Sequence, residues 1–336
     1  MTRTVATALA APLLWMALAA QGSPAPAGGE GEVEIREWPV PWEASRPRDP
    51  YVAPDGKVWF VGQRGDYLAW LDPASGEMKR RDLPAGTGPH NLVVAPDGLV
   101  WYAGNRVGHI GRFDAAKDVI ETVAMPDPEA RDPHTLVFGS AGEIWFTTQG
   151  GNFVGRLDPA KRDVHLVAVP TKDARPYGIV VDASGRPWFT EFGTNKLGTL
   201  DPRTLALEEI ALPRPEARPR RVAVTPDQKV WYVDYAAGYL GRYDPATKAI
   251  VEWPVPGGRE SRPYAMAADD RGRLWFVETG GEPNRLVGFD PAGERFFAIT
   301  PIASGGGSVR HMVFHAPDRA LWFGTDANTV GRALLP

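Results

Sequence analysis

The sequence predicts an all-β fold, a seven-bladed β-propeller of four-stranded blades, and two observations carry that reading. Aromatic pairs that begin with Trp recur at Trp59, Trp101, Trp145, Trp188, Trp231, Trp275 and Trp322, with spacings of 42, 44, 43, 43, 44 and 47 residues. A period of about forty to fifty residues with several short strands per copy is the signature of a propeller. One small sheet cannot bury both its faces, so each copy must stack on its neighbours around a ring. The second observation is that the last copy stops at Pro336, too soon for a fourth strand, while Glu37-Trp38-Pro39-Val40-Pro41 repeats Glu252-Trp253-Pro254-Val255-Pro256 from the fifth copy. A stretch from Val33 to Pro41 is therefore expected to supply the missing strand and close the ring, which removes the free seam.

Each copy divides into strands A to D. Strand A is the apolar stretch after a Pro-Tyr or Pro-His pair, as in Ile179–Val181, and a turn such as Ala95-Pro96-Asp97-Gly98 leads to strand B. Asp-Gly is a strong tight-turn signal. Strand B carries the Trp, as in Glu143-Ile144-Trp145-Phe146; strand C ends in Asp-Pro, as at Asp158-Pro159 and Asp244-Pro245. Proline there stops the ladder and starts the next turn.

Composition fits this architecture and narrows the function. The 336 residues include 37 Gly and 33 Pro for turns, 12 Trp and 13 Phe for a core, and no Cys. The missing thiols exclude disulfides, zinc-thiolate sites and Cys nucleophiles. A formal charge of −4 without a long basic run gives no footprint for nucleic acid or an anionic membrane. Met1 to Ala20, with Arg3, an apolar run from Val5 and Ala17-Leu18-Ala19, reads as a secretory signal peptide, followed by a Pro/Gly/Ala linker over 21–32 and the propeller over 33–336. The expected product is exported, periplasmic or secreted, a monomer with no membrane span after cleavage.

The position eleven residues before each Trp is occupied by Arg48, His90, His134, Tyr177, Arg220, Tyr264 and His311. It begins the innermost strand, so these side chains should converge on one channel mouth. Just past the Trp anchors stand Gln149, Glu191, Asp234, Glu278 and Asp326, which register places on the same rim, with Arg175, Arg218, Arg262 and Arg310 close by. Convergent polar groups in a concavity are the default binding-site hypothesis, and the arginines favour an anionic small-molecule or peptide-like ligand.

The repeated Pro-His/Tyr-x-Ile/Leu, with Trp188-Phe189-Thr190-Glu191 and Asn195-Lys196-Leu197-Gly198-Thr199-Leu200-Asp201 in its fullest copy, resembles the streptogramin B lyases, or virginiamycin B lyases, over Val33 to Pro336. The resemblance implies a seven-bladed propeller that opens a cyclic depsipeptide by elimination. A base takes the proton α to a carbonyl, the ester C–O bond breaks, and Mg²⁺ stabilises the charge on oxygen. It also implies site positions here at His311 and Asp326, while Tyr264 and Val309 stand where the family has His and Glu. Those departures remove an imidazole and a carboxylate ligand and point to another ester or cyclic substrate.

Two readings stay open on these residues. In one, a lyase-like enzyme uses His311 as base, Asp326 and Glu278 as Mg²⁺ ligands, and Tyr264 or Arg262 to steady an oxyanion. In the other, an exported binding module grips its ligand without chemistry. A lactonase-like hydrolase is a third, and the seven Trp anchors count against its six-bladed relatives.

Overall fold

A computed structural model describes residues 31–336; the signal-peptide expectation and all but the last two residues of the linker fall outside them. Seven four-stranded antiparallel sheets follow one another around a ring, each with its strands in A-B-C-D order. In the first blade these are Pro47–Val52, Val58–Gly62, Tyr67–Leu71 and Met78–Asp82. The seventh blade takes strands A to C from Val309–His315, Ala320–Thr325 and Thr329–Leu334, and its strand D from Glu34–Pro39. That N-terminal strand pairs antiparallel with the C-terminal one, Glu34 opposite Leu334 and Pro39 opposite Thr329.

The repeated Glu-Trp-Pro-Val-Pro packs the same way in both places. Trp38 stacks on the anchor Trp322 at 5.6 Å, and Trp253 on the anchor Trp231 at 5.5 Å. A strand C arginine covers each pair, Arg332 over Trp38 and Trp322, Arg242 over Trp231 and Trp253. Offset aromatic stacking and cation–π contact each add about 0.5–1.5 kcal/mol beyond burial.

The core lies between blades. Seven apolar clusters each join two consecutive blades, and all seven Trp anchors belong to one of them. Small residues make this close packing possible. A Cβ on Gly198 of strand C would overlap the ring of Phe189 on strand B, and Gly155 stands likewise against Phe146. At strand C ends the Asp of Asp-Pro folds back on the turn, as where Asp158 Oδ1 accepts from the backbone N–H groups of Ala160 and Lys161 at 3.0 and 3.1 Å.

Strand A lines the axis, and its irregularity builds the site. In most blades the A–B register slips just past the leading residue: Pro176 faces Glu191, yet pairing resumes only at Ile179 opposite Phe189. Such a bulge leaves two successive residues outside the ladder. The strands together thus line the channel with two layers of side chains, although the fourth blade has only Gly178 in the lower one.

Candidate functional site

The upper layer contains Arg48, His90, His134, Tyr177, Arg220 and Tyr264, as the spacing predicts for six blades. The seventh differs. Val309 pairs with Thr325 as Pro263 pairs with Glu278, so Arg310 occupies the place equivalent to Tyr264 and His311 falls into the layer beneath. The A–B connection of this blade, which includes a short 3-10 turn over Ala316–Asp318, is one residue longer, so counting eleven back from Trp322 stops one residue short.

Around the upper layer the groups are linked. Arg48 Nη1 donates to Nε2 of His90 at 2.7 Å, and the His90 Nδ1–H donates to the carbonyl of His134 at 3.1 Å. Acceptance from Arg48 requires a neutral imidazole; burial, with Arg48 next, holds the His90 pKa well below its usual value. The His90, His134 and Tyr177 rings follow at centroid distances of 3.7 and 4.0 Å. Tyr177 and Tyr264 then share a short hydroxyl–hydroxyl hydrogen bond at the centre. Arg220 lies 3.8 Å from the Tyr264 centroid and is boxed by Phe192 and Tyr235 at 4.4 and 4.3 Å.

Electrostatics divides the two phenols. Burial pushes Tyr177 up, but Arg220, Arg48 and Arg221 together outweigh it and bring the pKa down to about 8. Burial and the neighbouring Tyr177 push Tyr264 up to about 12. The coupled pair therefore gives up its first proton early and its second late.

The lower layer holds residues that the spacing rule passes over: Asp49, Asn91, Thr135 and Arg221. Arg221 crosses the channel. Its Nε donates to the Arg310 carbonyl at 2.9 Å, its Nη1 to Thr135 Oγ1 at 3.0 Å, and its Nη2 lies 3.8 Å from Asp49. Thr135 Oγ1 is also 2.9 Å from His134 Nδ1. The Thr135 hydroxyl, which accepts from Arg221, thereby also links to His134. His311 sits here beside Asp49 and Arg221, and burial, against the pull of Asp49, lowers its pKa to about 4. The signal for this layer was available in the Arg220-Arg221 pair, but only the bulge turns both side chains inward.

The row of strand B ends is also offset from expectation. The mouth is formed four residues past each Trp, where Gln63 accepts from Arg48, Phe192 and Tyr235 box Arg220, and Asp326 pairs with Arg310 and, at 3.5 Å, with Arg46. Glu191, Asp234 and Glu278 stand one residue earlier, and alternation sends them to the opposite side. There they hold loops: Glu278 accepts from Gly257 N–H at 2.6 Å and pairs with Arg285. Asp234 accepts from the N–H groups of Arg218, Ala236 and Ala237. Glu191 accepts from Thr194 at 2.9 Å, and burial, then Glu209, raises its pKa to about 8. Arg175 and Arg262 are exposed on the rim. His311 and Asp326 thus have separate partners, and among the described residues no group of three or more His, Cys, Asp or Glu converges as a metal site. No helix among those residues is long and apolar enough to cross a membrane.

Comparison with known proteins gives the lineage. The chain superposes on virginiamycin B lyase from Staphylococcus aureus with a TM-score of 0.82 at 24% identity, covering 91% of this chain and 100% of that one. A structure described as streptogramin B lyase matches at 0.81 and 26% identity, over 90% and 98% of the two chains. A catalytically inactive His→Ala variant of the Staphylococcus aureus enzyme with quinupristin matches at 0.82 and 24% identity, over 91% and 100%. No curated protein sequence matches significantly. The model of the virginiamycin B lyase family matches residues 5–286 and 205–333, and this chain belongs to that family.

Proposed function

We propose that the channel mouth binds the anionic group of a small-molecule or peptide-like ligand through a ring of guanidinium groups, without a divalent cation. The observation that carries this reading is an excess of buried donors. At the mouth Arg46, Arg48, Arg220 and Arg310 face only Asp49 and Asp326, and Arg48 Nη2 and Arg220 Nε have no hydrogen-bond partner. A buried unpaired donor costs about 1–3 kcal/mol, more when charged, which a bound carboxylate would relieve. Arginine suits that task because its planar fork can engage a carboxylate bidentately.

Asp326, which the family resemblance offers to Mg²⁺, and Glu278, which the lyase-like reading adds, do not fit one here. Asp326 is taken by Arg310 and Arg46, and Glu278 by Arg285. Magnesium needs free oxygen ligands in near-octahedral arrangement.

A second reading is favoured by the lowered pKa of Tyr177. In it the family's elimination runs without metal. The Tyr177 phenolate takes the proton α to the carbonyl, the electron pair forms the alkene, and the ester C–O bond breaks to leave a carboxylate for Arg48, Arg220 and Arg310. A base poised near neutral pH is suited to such a step. Export and a monomeric state belong to the same proposal, resting on the leader-like sequence and the closed ring.

The test incubates the mature protein with a streptogramin B lactone and, separately, its ring-opened acid, with and without EDTA. Calorimetry is expected to show the acid binding in EDTA and at least tenfold weaker binding for Arg48→Gln. Mass spectrometry of the lactone decides between the readings: opening without added water, abolished by Tyr177→Phe, selects elimination. Binding that is lost in EDTA would overturn the first reading, and turnover that is lost in EDTA would overturn the second.

A further inference from the structure

Below the Arg221 layer the channel continues as a cavity of about 390 Å³, reached from the opposite face of the ring. That volume lies within the range of small-molecule sites. Its walls come from the middle and end of the A strands, including Ile179, Val222, Met266 and Met312. Toward the open end Phe138, Val181, Val224, Ala268 and Phe314 are partly exposed. Because every A strand pairs on one side only, its other edge presents backbone N–H and C=O groups to this space.

The closed end is polar and lined by Asn91, Arg221 and His311. Asn91 is fully used, donating to Asp49 and accepting from Leu136 N–H. Arg221 is only 3% exposed, and Nη2 is its one guanidinium nitrogen without a hydrogen bond. His311 Nδ1 likewise has no partner. The charges that face these two groups are Arg48, Arg221 and Asp49; Asp49 is shared between both arginines, so one positive charge is left without a counterion.

We infer that this lower cavity is a second ligand site, separate from the mouth, which takes a carboxylate on a small apolar body, with the carboxylate against Arg221 Nη2 and His311. The apolar walls receive the body, and the free strand edges can hydrogen-bond an amide next to the carboxylate. Both an N-acylated amino acid and the C-terminus of a short peptide present that chemistry.

The test titrates the mature protein by calorimetry with N-acetyl-leucine, with acetyl-Val-Leu, and with the C-terminal amide of each. The acids are expected to bind at least tenfold more tightly than the amides, and the stronger of the two acids identifies the free or the peptide source. Arg221→Gln should weaken the acids at least tenfold. Since Arg221 also bridges blades, Ala268→Trp provides an independent check: it narrows the open end far from Arg221 and should abolish binding with the melting temperature retained. Equal binding of acid and amide, no binding of either, or full affinity in folded Ala268→Trp would overturn the inference.

Discussion

At Tyr264 burial prevails, whereas at Tyr177 the arginines of other blades outweigh burial and make the phenol more acidic. Its pKa near 8 follows from Arg220, Arg48 and Arg221 overcoming burial, so a tyrosinate signal in near-ultraviolet absorbance should appear about two units before ordinary phenols titrate. The linkage has a definite sign. A pKa lowered in the folded state adds stability as pH rises from about 8 towards 10 and adds none below about 8. Wild type should therefore gain stability over Tyr177→Phe across that window in denaturant titrations. A constant difference from pH 7 to 10 would show that the phenol titrates normally. The hydrogen-bonded Tyr264, pushed up to about 12, works in the opposite sense only above its usual range, so the two effects separate in pH.

The strand-level logic rests on the pairing of a bulky residue on strand B with a glycine on strand C. Gly198→Ala would drive a Cβ into the Phe189 ring, which is fully buried. Overpacking of this kind costs about 1–3 kcal/mol, readable as a lower denaturation midpoint at unchanged slope; an unaltered midpoint would mean that the ring can move aside. Removal of residues 33–41 takes away the strand paired with the C-terminus and the Trp38–Trp322 stack. The deletion variant should aggregate or melt many degrees lower, and coincident melting with the full chain would deny the closure. Blade number, strand order and closure were legible because Trp spacing and the Glu-Trp-Pro-Val-Pro repeat report packing that every blade shares. The finer geometry was less so. A bulge leaves no mark in composition, hence Arg221 and Asp49 went unnoticed beside Arg220 and Arg48, and one extra residue before Trp322 exchanged the places of Arg310 and His311. Likewise Glu278 and Asp326 look alike in sequence, but they stand three and four residues past their Trp, so alternation sends them to opposite sides.

Across the whole molecule the decisive question is what the mouth's charge is for, and Asp326 answers it in opposite ways under the two possibilities. It is partly exposed and paired with Arg310 and Arg46 from neighbouring blades. If the arginines are there to receive an anion, Asp326 is an internal competitor, and Asp326→Asn should tighten binding of the ring-opened streptogramin acid several-fold by freeing both guanidiniums. Stability should fall in the free protein, since the substitution leaves half-buried guanidiniums unpaired, and should be recovered when the acid binds. Raising salt should weaken the ligand in both proteins, more in the variant, because the freed charges lie near solvent. If Asp326 instead held a cation, the same substitution would weaken the ligand and make its binding respond to added Mg²⁺. Calorimetry on wild type and Asp326→Asn, at two salt concentrations and with either EDTA or Mg²⁺, separates these outcomes. Tighter, metal-independent binding by the variant is the result the guanidinium ring predicts, and weaker, Mg²⁺-dependent binding would return the mouth to the family's metal chemistry.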